Sequence, residues 1–272
     1  MSQTVLVTGV SGFIAAHVVD AFLRRGYRVR GTVRSEKAAS DVIQRHSEYA
    51  GQLSISVVPN MTALHAFDEA VKGVDGTHNP RVSRVIITGS FAAVLDTAYL
   101  AWKTFAERAA WDYVEGKKPN FTVTTLLPPM VYGPVLHNVS DAKALNTSSA
   151  DIYRLIDGSE KEVPVNRFWG FADVRDVAEA HVLAFEKPAA AGQRHLISNG
   201  AYSYQQVCDI IREKFPQLRG LTPEENPGTP LPSTYRLDTS KAIKQLGINF
   251  RSLEETIVGT VDSLLKVQKV AQ

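Results

Sequence analysis

Val5, Leu6 and Val7 run without a break into Thr8-Gly9, and beyond Gly12 the apolar residues recur at helical spacing as Phe13, Ile14, Val18, Ala21 and Phe22. The change of period predicts a strand over residues 5–8, a glycine turn, and a helix over about residues 12–25 that ends at Gly26. The same reading places a strand at 27–33, a helix at 38–50, a strand at 53–58 and a short helix at 66–71. Strands that alternate with helices imply a parallel sheet with right-handed crossovers. The alternation then breaks. Between Gly76 and the next strand, at 82–88, stand only Thr77-His78-Asn79-Pro80 and Arg81, whereas a parallel crossover takes about a dozen residues or more. Unpaired ladder groups in the middle of a sheet are costly, so strand 82–88 is expected to move over beside the first strand. A helix at 97–115, a strand at 121–127 and a rigid Pro-rich turn at 128–134 follow. Residues 138–151 are rich in Asn, Ser, Asp and Thr and predict an irregular, mobile segment, with a helical fragment at 152–155. Later elements are a helix at 173–185, a strand at 194–198, a helix at 203–215 with Ser203 as its N-cap, a Pro-rich loop at 224–232, and helices at 239–246 and 253–270.

Composition adds bounds. A chain of 272 residues can bury a sizeable core. Its net charge of +2 gives no sign of a nucleic acid or membrane-surface partner. No apolar run reaches the length of a membrane span and no signal segment opens the chain, so a cytoplasmic location is the expectation. The one cysteine, Cys208, sits at an apolar helical position and reads as core; neither a disulfide nor a metal framework is expected.

The chemistry begins at the first turn. Gly9 lets the chain turn sharply, Gly12 lets backbone N–H groups approach a pyrophosphate, and Ala15 lets helix and strand pack closely. A dinucleotide would place its phosphates at the positive end of the helix. At the end of the second strand an acidic residue would suit the ribose of NAD, but Arg34 and Lys37 stand there, which favours the 2′-phosphate of NADP. Asn60 and Met61, just past the third strand, could flank the adenine. Tyr99 and Lys103 lie four apart on one helix face, downstream of Ser90 at a strand end. A tyrosine whose pKa is drawn down by a lysine can protonate the alkoxide left by hydride transfer, and a serine hydroxyl can polarise the carbonyl. The turn from Pro128 to Pro134 follows the carboxyl end of a strand, where ligands sit in open α/β sheets.

Taken together, Thr8-Gly9-x-x-Gly12-Phe13-Ile14, Tyr99-x-x-x-Lys103 and Pro128-Pro-Met-Val-Tyr-Gly-Pro134 resemble the extended short-chain dehydrogenase/reductase family. Arg34 with Lys37, Ser90-Phe-Ala-Ala-Val and the segment from Lys103 to Trp111 are similar to its fungal NADPH-dependent carbonyl reductases, related to dihydroflavonol 4-reductase and methylglyoxal reductase. The resemblance covers nearly the whole chain. It implies an α/β, Rossmann-like, doubly wound parallel sheet that binds NADP over residues 1–134. It also implies a smaller C-terminal lobe for the substrate over 135–272, with about 168–198 returning to the first domain. The implied reaction is reduction of a ketone or aldehyde to an alcohol. Ser90, Tyr99 and Lys103 would be the catalytic trio, and the proton would come from Tyr99. Gly9, Gly12, Phe13 and Ile14 would surround the pyrophosphate, Arg34 and Lys37 the 2′-phosphate, and Pro128 and Val131 the nicotinamide. A small carbonyl compound is the expected partner.

The departures from that family are specific. Roughly forty residues, a central strand and its helix, are missing between Gly76 and His78. The family also has a longer excursion between Asp96 and Thr97, which helps wall the substrate pocket. Trp102 and Gly89 stand where serine is usual, and Asn60 where aspartate is usual. The lost helix often builds the dimer interface of extended members, so a monomer is favoured. The alternatives are a truncated, catalytically impaired relative and a sugar-nucleotide epimerase or dehydratase; the latter chemistry uses NAD, which Arg34 and Lys37 argue against.

Overall fold

A computed structural model describes residues 3–72, 83–91, 93 and 101–270. Strand β1 (Thr4–Val7) leads through α1 (Phe13–Arg24) to β2 (Arg28–Val33), and α2 (Glu36–Arg45) leads on to β3 (Leu53–Val57) and the short α3 (Asp68–Val71). The three strands pair in parallel, in the order β1-β2-β3. The apolar periods explain this half. Val18, Val19, Phe22 and Leu23 share one stripe of α1, and all four are buried against Val29 and Val33 of β2. The Ser35 hydroxyl caps α2 by accepting from the Ala38 N–H. That helix stops short of the expected 38–50, and a 3₁₀ turn at Ser47–Tyr49 takes over.

The chain continues through β4 (Arg84–Thr88), α4 (Ala101–Lys117), β5 (Thr122–Leu127), β6 (Met130–Tyr132), α5 (Thr147–Tyr153), β7 (Gly170–Asp173), α6 (Val174–Glu186), β8 (Arg194–Leu196) and β9 (Gly200–Ala201). It ends in α7 (Tyr204–Lys214), α8 (Ser240–Leu246) and α9 (Leu253–Val270). Two expectations need correction here. The turn at 128–134 contains a strand, β6, because Met130–Tyr132 finds a parallel partner in β7. The segment 138–151 is not irregular throughout: Asp141 caps a 3₁₀ turn at Ala142–Ala144, and α5 starts at Thr147. The predicted cap of α7 is present as a full capping box, with Ser203 Oγ accepting from Gln206 N–H at 3.2 Å and Gln206 Oε1 accepting from Ser203 N–H at 3.0 Å.

The third correction concerns the centre of the molecule. Strands β4, β5 and β8 form a second parallel sheet, and β4 does not pair with β1. Instead β1 and β4 both line one cavity of about 1140 Å³. β1 and residues 84–87 of β4 are only half-buried and Thr88 is exposed, whereas β5 is buried from Val123 onward. Both half-sheets are tied to the C-terminal half of α6. On the β1 side, the Arg25 guanidinium pairs with Glu179 and Glu186, and the Tyr27 hydroxyl donates to Glu186 at 3.0 Å. On the β4 side, Arg84 Nη1 donates to the carbonyls of Ala184, Phe185 and Lys187 at 2.6, 3.0 and 2.6 Å.

Gly89, just after β4, has its own constraint. A Cβ there would stand 2.5 Å from Leu127 Cδ2. A larger side chain therefore does not fit here without a shift in the core. Gly89→Ser is expected to cost about 1–3 kcal/mol, read as a lower urea midpoint; an unchanged midpoint would show that Leu127 yields freely.

Candidate active site

The first turn has the form of an anion cradle. Gly9 adopts φ of +67°, a conformation open mainly to glycine. Its N–H donates to Thr32 Oγ1 at 3.2 Å, and the Gly12 N–H donates to the Gly9 carbonyl at 2.9 Å. Gly12 is the N-cap of α1, yet no side chain caps that helix and no acidic residue lies in its first turn. The amides of Phe13, Ile14 and Ala15 are thus left for an outside acceptor, which is what a pyrophosphate supplies. The cradle is braced from behind. The Phe13 ring meets His17 and His137 edge-on, with centroids 5.9 and 5.7 Å apart. The His17 Nε2–H donates to the Pro134 carbonyl at 2.8 Å, so this nitrogen carries the proton. Burial lowers the His17 pKa, and burial with the nearby charges of Arg45 and His17 lowers that of His137 to about 4.

The cavity joins this cradle to the candidate chemistry. Gly12, Phe13, Ile14 and Ala15 share its wall with Gly89, Lys103 and Val131. Gly9, Arg34, Lys37, Asn60, Met61, Ser90 and Pro128 are not part of that wall. Arg34 and Lys37 are exposed beside the Ser35 cap at the start of α2, and neither forms an ion pair among the described residues. Asn60 turns its Oδ1 to Thr62, accepting from both its N–H and its hydroxyl at 3.0 and 2.8 Å, and Met61 is exposed. The Pro128 carbonyl accepts from Phe91 N–H at 3.0 Å, which fixes the segment after Ser90 against the end of β5. Tyr99 and the gap placed between Asp96 and Thr97 lie outside the described residues, as does the side chain of Trp102.

Two further groups went unread in the sequence. Glu107 is one helical turn beyond Lys103 on α4, and its buried carboxylate accepts from Thr125 Oγ1 at 2.7 Å and from Arg194 Nε and Nη2 at 2.9 Å each. Burial alone would raise its pKa, but the bonds from Arg194 and Thr125 outweigh that and hold it below the ordinary value. This ties the Lys103 face of α4 to β5 and β8. The spacing of four from Lys103 was the available signal. The second group is His181 on α6. Its Nδ1–H donates to the Val177 carbonyl and its Nε2 accepts from the Thr88 hydroxyl, each at 2.7 Å. Burial lowers its pKa, and both side chains line the cavity. Cys208 is buried as expected, and burial pushes its thiol up to about 12.

Comparison with known proteins fits this geometry. A family model described as the NAD dependent epimerase/dehydratase family matches residues 5–75 and 75–200. The chain belongs to this family. The NADPH-dependent methylglyoxal reductase GRE2 of Saccharomyces cerevisiae is 32% identical, with 98% of this chain and 99% of the yeast enzyme covered. Ketoreductase azaE of Aspergillus niger is 33% identical, with 98% of each chain covered. Among solved structures, yeast methylglyoxal/isovaleraldehyde reductase Gre2 complexed with NADPH superposes with a TM-score of 0.85 at 30% identity, covering 98% of this chain and all of that one. The family match breaks at residue 75, where the alternation of elements fails. The alignment with GRE2 runs over 342 positions, and 342 less the chain's 272 residues leaves at least 70 positions of the yeast enzyme with no counterpart here. No helix among the described residues is long and apolar enough to cross a membrane.

Proposed function

We propose that this member of the family reduces a ketone or aldehyde to an alcohol with NADPH. The observation that carries the reading is the common wall: the uncapped end of α1 and Lys103 face one cavity. The cradle residues fit the diphosphate, and the exposed cations Arg34 and Lys37 fit a 2′-phosphate. The cofactor, once bound, supplies the hydride for the carbonyl carbon. The chain's own residues handle the oxygen. Ser90 donates a hydrogen bond to it, and the Tyr99 hydroxyl gives it the proton. Lys103 favours the resulting phenolate by its charge. Glu107 keeps Lys103 in place through α4. In this reading the cofactor domain is 1–134 and regains 168–198. Phe13, Val131, Ala172, Val177 and Ile197 packing in one core supports that division. The remainder of 135–272 covers the substrate.

The test is NADPH fluorescence. Saturable quenching or shift is expected below millimolar cofactor, and Arg34→Ala with Lys37→Ala is expected to weaken NADPH by about tenfold or more while leaving NADH unaffected. No response at near-millimolar NADPH would sink the reductase reading. The second reading, an impaired relative, is favoured by one observation, the gap between β1 and β4. It predicts cofactor binding without turnover of any simple carbonyl compound, since misplacing a reacting group by about 1 Å can cost around a hundredfold.

A further inference from the structure

Strand β6 serves two cores at once. Successive side chains of a strand point to opposite faces. Val131 packs in one core with Phe13 of the cradle, while Tyr132 enters the core of the C-terminal lobe with Ile152, Tyr202 and Tyr204. Val131 is on the cavity wall and Tyr132 is not. β6 has three residues and lies at the edge of its sheet, with β7 as its one partner among the described strands. So short an edge strand has few ladder bonds to fix it, and the side chain of Tyr132 supplies a further anchor.

That anchor is tied to Asp151. Asp151 Oδ2 accepts from the hydroxyls of Tyr132 and Tyr204, each at 2.7 Å, and its Oδ1 accepts from Arg154 Nε and Nη2 at 3.1 and 2.8 Å. With its proton committed to Asp151, the Tyr132 oxygen accepts from the Tyr202 hydroxyl at 2.8 Å. Burial raises the pKa of all three tyrosines, so each stays a donor. The Arg154 guanidinium pairs in turn with Glu160 and lies 5.3 Å from the centre of the Tyr204 ring. A buried polar network of this kind holds a single geometry. Asp151 sits one turn past Thr147 and Ser148 on α5, and Asn146, Thr147 and Ser148 line the cavity together with Val131. One carboxylate therefore joins two stretches of the same wall, β6 through Tyr132 and the start of α5 through its own backbone.

We propose, on the basis of the reductase reading, that Asp151 is a positioning residue. Its bond to Tyr132 fixes Val131 relative to the start of α5, and so sets the width of the site that receives the carbonyl compound. The test compares two variants of the full chain, Tyr132→Phe and Tyr204→Phe. Each removes one 2.7 Å bond to the same carboxylate oxygen and keeps its ring in the core. Tyr132 is on β6, whereas Tyr204 is on α7, no residue of which lines the cavity. Tyr132→Phe is expected to raise the KM for propanal by about fivefold or more, with kcat within about twofold. It should also change the emission intensity of bound NADPH by about 1.5-fold or more, because Val131 is assigned to the nicotinamide. Tyr204→Phe should leave KM and that emission at wild-type values. Asp151→Ala is expected to raise KM as much as Tyr132→Phe does, and combining the two should raise it no further. Equal effects of the two tyrosine variants would make the network a structural support alone and overturn the proposal. Unchanged KM and emission in Tyr132→Phe, or an additive double variant, would overturn it as well. If the wild-type chain binds NADPH but turns over no propanal, the emission comparison decides. No response of the wild type to NADPH would sink the reductase reading and this proposal with it, whereas a wild-type response with two equal variants sinks the proposal alone.

Discussion

Tyr99→Phe is expected to lower carbonyl-dependent oxidation of NADPH by about 10²–10⁴-fold, the usual contribution of a positioned acid. The affinity for NADPH, read by fluorescence, should stay within about twofold, because the phenol is assigned to the carbonyl oxygen and not to the cofactor. The reason is the charge made in the reaction. Hydride transfer leaves an alkoxide, and without the hydroxyl no acid stands beside it. Lys103→Met is expected to act through the same group, with a lower rate and a pH profile moved to the alkaline side as the tyrosine loses its cationic neighbour. Unchanged turnover in Tyr99→Phe would reject this mechanism even if NADPH binds.

The largest effect on stability is expected at Asp173. Its side chain is fully buried at the junction of β7 and α6. One carboxylate oxygen caps α6 by accepting from Arg175 N–H at 2.8 Å and also takes Arg175 Nε at 2.9 Å; the other takes Arg175 Nη2 at 2.6 Å and the Thr256 hydroxyl at 2.9 Å. One group thereby joins a strand end, a helix start and α9. Asp173→Ala removes the cap and leaves the Arg175 guanidinium half-buried without its partner, so a loss of about 3–5 kcal/mol is expected in urea unfolding. Asp173→Asn keeps an oxygen for the cap and should lose about half as much. A loss below about 1 kcal/mol for the alanine variant would show that the junction is held by packing instead.

Much of the fold was legible because the responsible patterns are local. The apolar stripe of α1, the Ser203 cap and the span of α9 each arise within a few residues of sequence, where spacing and local capping decide the element. The cradle was legible for the same reason, since Gly9 and Gly12 act on their own turn. Glu107 and His181 were not. Glu107 matters through Arg194 and Thr125, and His181 through Thr88, partners that are distant in sequence and meet only in the sheet. Residues such as Met130–Tyr132 could form a strand only once β7 lay beside them.

The strand-turn-helix cradle, the basic pair after β2, the alternation that stops at Gly76 and hence the family were determined by the sequence itself. Periodicity and glycine placement encode them directly. Where β4 stands was decided by the tertiary structure. The cost of unpaired strand edges predicted closure, yet α6 carries separate grips for each half-sheet, Glu179 and Glu186 for one and the carbonyls of Ala184, Phe185 and Lys187 for the other. Those bonds, with the packing of α1 on α6, seat both half-sheets on one helix, and β4 pairs with β5 and not with β1. Bonds from two half-sheets to the C-terminal half of one helix cannot be read from any stretch of sequence, because they exist only after both halves have folded.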